Sequence, residues 1–190
     1  MDTPKPTYGI SDLSSILVSK EDIASRVAEL GKDLNEFYGN QHVTVICILS
    51  GALLFTSDIL RHLTFPTQLD CLRAESYGNN TESASKPRIT NPLKNTVEGK
   101  HVLVIDDILD SGKTLKSISE YLKQANPLSV KTCVMLDKKE RRETEIAADF
   151  VGFDIPNAFA VGYGLDFAEH YRNLSSIGVL KEEFQVAPKD

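Results

Sequence analysis

Apolar residues recur along the chain in two rhythms. Ile23, Val27, Leu30, Leu34 and Phe37 fall three or four apart, which predicts one face of a helix that stops at Gly39-Asn40. Val43 to Leu49 is instead continuous and β-branched, the pattern of a strand buried on both faces. The rhythms then alternate. Ser50-Gly51 reads as a turn, Ala52 to Leu63 as a helix and Leu69 to Glu75 as a strand. A strand over 101–106 leads to a helix from 112 to about 125, ended by Asn126-Pro127. Ser129 to Leu136 is a further strand, and Ala158 to Gly162 and Ile177 to Leu180 are short ones. Residues 1–19, rich in Pro and Ser, are expected to be partly irregular.

Continuous apolar strands alternating with helices predict an α/β fold, a central parallel β-sheet flanked by helices on both faces. Ligands in such folds bind beyond the carboxyl ends of the strands. Ser50-Gly51, Ser76-Tyr77, Asp106-Asp107, Asp137-Lys138 and the segment after Gly162 all fall at predicted strand ends, so one crevice is expected to gather them. Residues 76–96 break the pattern. Their polar composition offers almost nothing to bury, and a loop this long inside a compact domain suits a functional lid. With no internal repeat and no dividing linker, residues 1–190 read as a single domain.

Composition narrows the function classes. A net charge of −6 and a pI near 5.3 argue against general nucleic-acid binding. The N-terminus lacks a signal-peptide core, and no apolar run approaches the ~18 residues of a membrane span, so a cytoplasmic location and no membrane partner are expected. Cys47, Cys71 and Cys133 lie far apart in apolar stretches and read as buried small hydrophobes. The four histidines do not cluster at metal-ligand spacing.

The chemistry concentrates in residues 102–114. Val102 to Ile105 deliver three carboxylates, Asp106, Asp107 and Asp110, and Ser111-Gly112-Lys113-Thr114 follow as a helix N-terminus able to hold an anion. The run is not a P-loop. That motif needs Gly where this chain has Asp107, and a carboxylate there would repel a triphosphate. Acids for sugar hydroxyls and metal beside bare amides for phosphate suit a ligand carrying both a ribose and a phosphate.

This run resembles the phosphoribosyl pyrophosphate (PRPP) signature of type I phosphoribosyltransferases. Ser76-Tyr77-Gly78, Leu136-Asp137-Lys138 with Arg141-Arg142, Asp149 to Pro156, and Val161 to Asp166 with Tyr171-Arg172-Asn173-Leu174 narrow the resemblance to the hypoxanthine-guanine phosphoribosyltransferase family. It covers nearly everything from residue 40 to 180 in order. It implies the type I phosphoribosyltransferase fold with a small hood and lid subdomain, the lid at 76–96 and the purine-binding hood in 137–190. The implied reaction moves the phosphoribosyl group of PRPP to N9 of hypoxanthine or guanine, giving IMP or GMP and pyrophosphate. Homodimers or homotetramers are implied by the same analogy.

Residue by residue, the resemblance implies that Asp106 and Asp107 hold the ribose hydroxyls and Mg²⁺, and that Asp110, beside the PRPP, is the base acting near purine N7. Residues 111–114 (Ser111, Gly112, Lys113 and Thr114) cradle the 5′-phosphate. Lys138 donates to purine O6, Phe159 stacks on the base, and Ala160 offers its backbone to the purine edge. Asp166 stands near the purine, the pyrophosphate and a second Mg²⁺. Arg172 and the Ser50-Gly51 loop face pyrophosphate, and Ser76 and Tyr77 reach over from the lid. Taken one at a time, Asp110 also suits a turn cap, Lys138 a solvated charge and Phe159 a core position. The other charges of 138–142 read mostly as solvated. Two departures stand out: Ser50 replaces the family's usual Lys, and Asp106 stands where relatives carry Glu. A xanthine-preferring enzyme and a PRPP-sensing regulator are the rival readings.

Overall fold

The computed structural model describes residues 5–75, 88–91 and 93–185. Ser76, Tyr77 and most of the expected lid lie outside the described residues. Helix α1 spans Lys20–Tyr38, capped by Ser19, whose hydroxyl accepts the Asp22 N–H at 3.1 Å. It ends at Gly39, as the sequence predicts. Its buried face is Ile23, Val27, Leu30 and Leu34, but the last turn buries Tyr38 and leaves Phe37 half exposed against Phe150.

Strands β2 (Val43–Leu49), β3 (Thr67–Glu75), β5 (His101–Leu109) and β6 (Ser129–Asp137) appear where the apolar runs predict them. Helices α2 (Leu53–Leu60) and α3 (Lys113–Lys123) connect them. The main sheet has the order β4-β3-β2-β5-β6-β7, and five of its strands are parallel. β4 (Arg88–Asn91) is an antiparallel edge strand, so the sheet is mixed. β4 lies within the stretch expected to be loop; three of its four residues pair antiparallel with Arg73, Ala74 and Glu75 of β3. β7 (Phe150–Asp154) closes the other edge. It is short and half-buried with Gly152 inside, so it lacks the continuous apolar run that marks the central strands.

From β2 the chain moves to β3 on one side, and from β5 to β6 on the other. Right-handed crossovers therefore put α2 and α3 on opposite faces. The direction reverses between β2 and β5, and at such a switch point the loops part to leave a crevice.

A second sheet joins both termini. β1 (Leu13–Val18), β9 (Ile177–Leu180) and β8 (Ala160–Val161) are antiparallel in the order β1-β9-β8. Residues 13–18 are thus ordered strand rather than irregular. Their partner lies some 160 residues downstream (Leu13 pairs with Leu180), which local pattern does not reveal. Buried Asp12 fastens this corner, accepting from the Thr7 N–H at 2.8 Å and the Tyr171 hydroxyl at 3.0 Å.

Candidate active site

Strand β5 carries Asp106 and Asp107 inside its hydrogen-bonded length, one strand from β2, rather than in a turn beyond it. The Asp107 N–H donates to Asp106 Oδ1 at 3.0 Å, and the Ile108 N–H donates to Asp107 Oδ1 at 2.9 Å. Burial pushes both carboxyls above the ordinary carboxylate range, and for Asp106 the neighbouring Asp107 charge adds to it.

The Ser50-Gly51 loop lies directly on this pair. A side chain at Gly51 would overlap the Asp107 carboxylate, and one at Gly164 would overlap the Gly51 carbonyl. The loop is therefore held between β5 and the segment after β8 by two close backbone approaches. The peptide joining Leu49 to Ser50 is cis.

Past β5 the chain turns at Asp110 and enters α3 through Gly112, whose φ of +84° favours glycine. The N-cap Gly112 has no side chain to cap α3, and the Ser111 hydroxyl accepts the Lys113 N–H only at 3.4 Å, which suits the first turn to an anion. Ser111, Gly112 and Thr114 line a crevice of about 370 Å³ together with Ser50, Gly51, Asp106, Asp107, Asp110, Asp166 and Arg172. Lys113 does not line it; its ammonium pairs with Glu143.

A second cavity of about 250 Å³ opens beside the first. Lys138, Arg141, Phe159, Ala160 and Leu165 line it, and Asp107, Asp110 and Asp166 belong to both. Lys138 is buried, and its Nζ stands 3.8 Å from Asp110 Oδ2. Arg141 Nη1 stands 3.5 Å from the same oxygen. Asp110 Oδ1 is buried and, among the described residues, has no hydrogen-bond partner. An orphaned acceptor of this kind costs about 1–3 kcal/mol, and a ligand N–H would remove the cost. Phe159 is half-exposed at the mouth, edge-on to Phe167.

Arg172 and Asp166 meet as a pair. Arg172 Nη2 lies 2.8 Å from Asp166 Oδ1 and 3.0 Å from Glu169, and Nη1 donates to the Gly164 carbonyl at 2.8 Å. The arginine expected to face pyrophosphate thus reaches the crevice already neutralised.

Of the run 138–142, Lys139, Glu140 and Arg141 are exposed as expected, whereas Lys138 and Arg142 are drawn inward. Lys138 is buried and Arg141 lines the second cavity. Arg142, with its side chain 16% exposed, donates to the carbonyls of Leu109, Asp110 and Ile146 and pairs with Asp137. Only the packing reveals its role; the sequence signal is the doubled Arg after Asp-Lys. Cys47 and Cys133 match the bland reading, burial pushing the first up to about 11 and the second to about 12, while Cys71 is only partly buried. Among the described residues no group of three or more His, Cys, Asp or Glu could enclose a metal ion, and no helix is long and apolar enough to cross a membrane.

Residues 15–168 match the family model of the phosphoribosyl transferase domain. The chain is 44% identical over 170 residues to a hypoxanthine-guanine phosphoribosyltransferase of Bacillus subtilis, covering 90% of this chain and 94% of that one. The chain belongs to the phosphoribosyltransferase family, on its hypoxanthine-guanine branch. Among phosphoribosyltransferases of known structure, a hypoxanthine phosphoribosyltransferase from Staphylococcus aureus superposes with a TM-score of 0.87 at 40% identity, covering 91% of this chain and 94% of its own. A structure described as a hypoxanthine-guanine-xanthine phosphoribosyltransferase superposes at 0.83 with 37% identity, covering 91% of this chain and 100% of that one.

Proposed function

We propose that the protein is a purine-salvage enzyme that transfers the 5-phosphoribosyl group of PRPP to N9 of hypoxanthine or guanine. The products are IMP or GMP and pyrophosphate. The observation that carries this reading is the orphaned, buried Oδ1 of Asp110, standing where a donor crevice and a base cavity share a wall.

The first turn of α3 receives the 5′-phosphate through its N–H groups and the hydroxyls of Ser111 and Thr114. Asp106 and Asp107 accept hydrogen bonds from the ribose hydroxyls. These two acids also fit Mg²⁺: they are adjacent, and burial holds both above their ordinary range, so a cation there would relieve them. Mg²⁺ typically takes one or two carboxylates and completes its shell with substrate oxygens, which agrees with the lack of an all-protein cage among the described residues. Bound there, the ion would supply positive charge to the departing pyrophosphate. Asp166 reaches a second ion only by giving up Arg172.

In the base cavity, Lys138 donates to the 6-oxygen of the purine, an edge adenine lacks. Phe159 covers the ring face, and the Ala160 backbone borders the ring edge. Asp110 Oδ1 takes the proton from N7, which raises electron density at N9. N9 then forms its bond to C1′ as the bond from C1′ to pyrophosphate breaks. Family analogy supports a cytoplasmic homodimer or homotetramer.

The test is a PRPP- and Mg²⁺-dependent assay of the purified protein against hypoxanthine, guanine, xanthine and adenine. Turnover of hypoxanthine or guanine with adenine inert is expected, and Asp110→Asn should lower the rate about 10²–10⁴-fold. Preference for xanthine would move the substrate class, a result consistent with the two cations, Lys138 and Arg141, in the base cavity. Inertness toward every 6-oxopurine would refute the enzyme.

A further inference from the structure

We propose that Arg142 is a positioning residue that locks the turn carrying Asp110 to the strand end carrying Lys138. The proposal rests on the proposed function, with Asp110 taking the purine proton and Lys138 holding its 6-oxygen.

Arg142 lines neither cavity, so it acts through others. Its Nε donates to the Asp110 carbonyl at 3.0 Å, and Nη2 donates to the Leu109 carbonyl at 3.1 Å and to the Asp137 carboxylate. Nη1 donates to the Ile146 carbonyl at 2.6 Å. One guanidinium therefore joins the end of β5, the end of β6 and the segment that follows β6.

Its placement is specific to the site. Leu109 and Asp137 are register partners on β5 and β6, and each is the last residue of its strand. The next residues are Asp110 and Lys138. The Leu109 carbonyl also accepts the Lys138 N–H at 3.0 Å, so the two strand ends are already tied, and Arg142 fixes how both turn away. The aliphatic stem of Arg142 runs close to Gly112, at the start of α3. Asp110 Oδ2 and Lys138 Nζ stand 3.8 Å apart in this frame. A purine held by its 6-oxygen and its N7 needs that separation fixed, because a misplacement on the order of 1 Å can cost about 10²-fold in rate.

A guanidinium suits the task and an ammonium does not. Arg spreads five donors over a planar fork, whereas Lys carries three on one atom and has no way to span acceptors on three segments. Arg142→Lys keeps the charge opposite buried Asp137 and removes the span.

In Arg142→Lys we expect kcat/KM for hypoxanthine to fall about 10- to 100-fold, with the KM for PRPP within about twofold of wild type. In an Asp110→Asn background the same change should cost several-fold less than it does in wild type, because one of the two groups it holds in register no longer takes the proton. Asp137→Asn, which keeps the shape of the acceptor, should reproduce the split with a smaller amplitude, and stands in for Arg142→Lys should that variant not fold. A rise in both KM values together, or the full penalty persisting in the Asp110→Asn background, would overturn the positioning role. Wild-type turnover in Asp110→Asn alone would instead overturn the catalytic reading beneath it, and the proposal with it.

Discussion

Asp106 and Asp107 are costly residues for an empty protein. Burial holds both carboxyls above the ordinary range, and for Asp106 the Asp107 charge adds to it, so the folded state binds protons more tightly than the unfolded chain does. Their contribution to stability is fully present at low pH and is lost as pH rises through the raised values. Asp106→Asn removes an ionisation but keeps the oxygen that accepts the Asp107 N–H. Without ligand, the variant should melt above wild type at neutral pH, by about 2–4 °C for each kcal/mol relieved. The gap should widen as pH rises above the ordinary carboxylate range, read by thermal denaturation. Its PRPP-dependent activity should fall, a stability–activity trade at a single atom. At this scale the acidic run was legible because its members are close in sequence. Arg142 was not: its four acceptors lie between 4 and 33 residues away, and only burial turns a charged run into a bracket.

The α3 N-terminus shows what one element asks of its neighbours. Gly112 has a φ of +84°, and the packing of Thr144 and Ile146 leaves no room for a methyl group. The segment after β6 therefore braces the outside of the phosphate cradle, with the Glu143 N–H donating to the Ser111 carbonyl at 3.0 Å. Gly112→Ala should cost about 1–2 kcal/mol from the left-handed backbone alone. It should also raise the KM for PRPP more than that for the purine, as steady-state kinetics with each substrate varied would measure. The central strands and α3 could be drawn from the apolar pattern, since burial on both faces writes itself as continuous Val, Ile and Leu. β1, β4 and β7 could not. Each is an edge or hood strand whose partner is distant or whose burial is partial, so the residues carry no distinctive period.

Across the whole molecule, the switch point between β2 and β5 was implied once the parallel sheet was, and it gathers nearly all of the predicted site residues that fall among those described. The resemblance implied a purine pocket facing the phosphate cradle; what the sequence did not convey is which residues line both cavities, as Asp107, Asp110 and Asp166 do. Which of Arg172, Asp166 and Lys138 faces which cavity depends on the path of the chain after β8 and on the close stacking of Gly51 against Gly164.

The shared wall between those cavities has a consequence for timing. Under the proposed function, each substrate occupies one cavity and holds on chiefly by that cavity's contacts. The nucleotide product is one covalent body that reaches into both, so its two ends are tethered and each keeps the other at high local concentration. Departure then requires both grips to fail together. Release of IMP or GMP should be slower than bond making, and rapid-quench experiments should register a burst of product close to one equivalent per site before the slower steady rate. A linear onset without that burst would place the slow step in the chemistry instead.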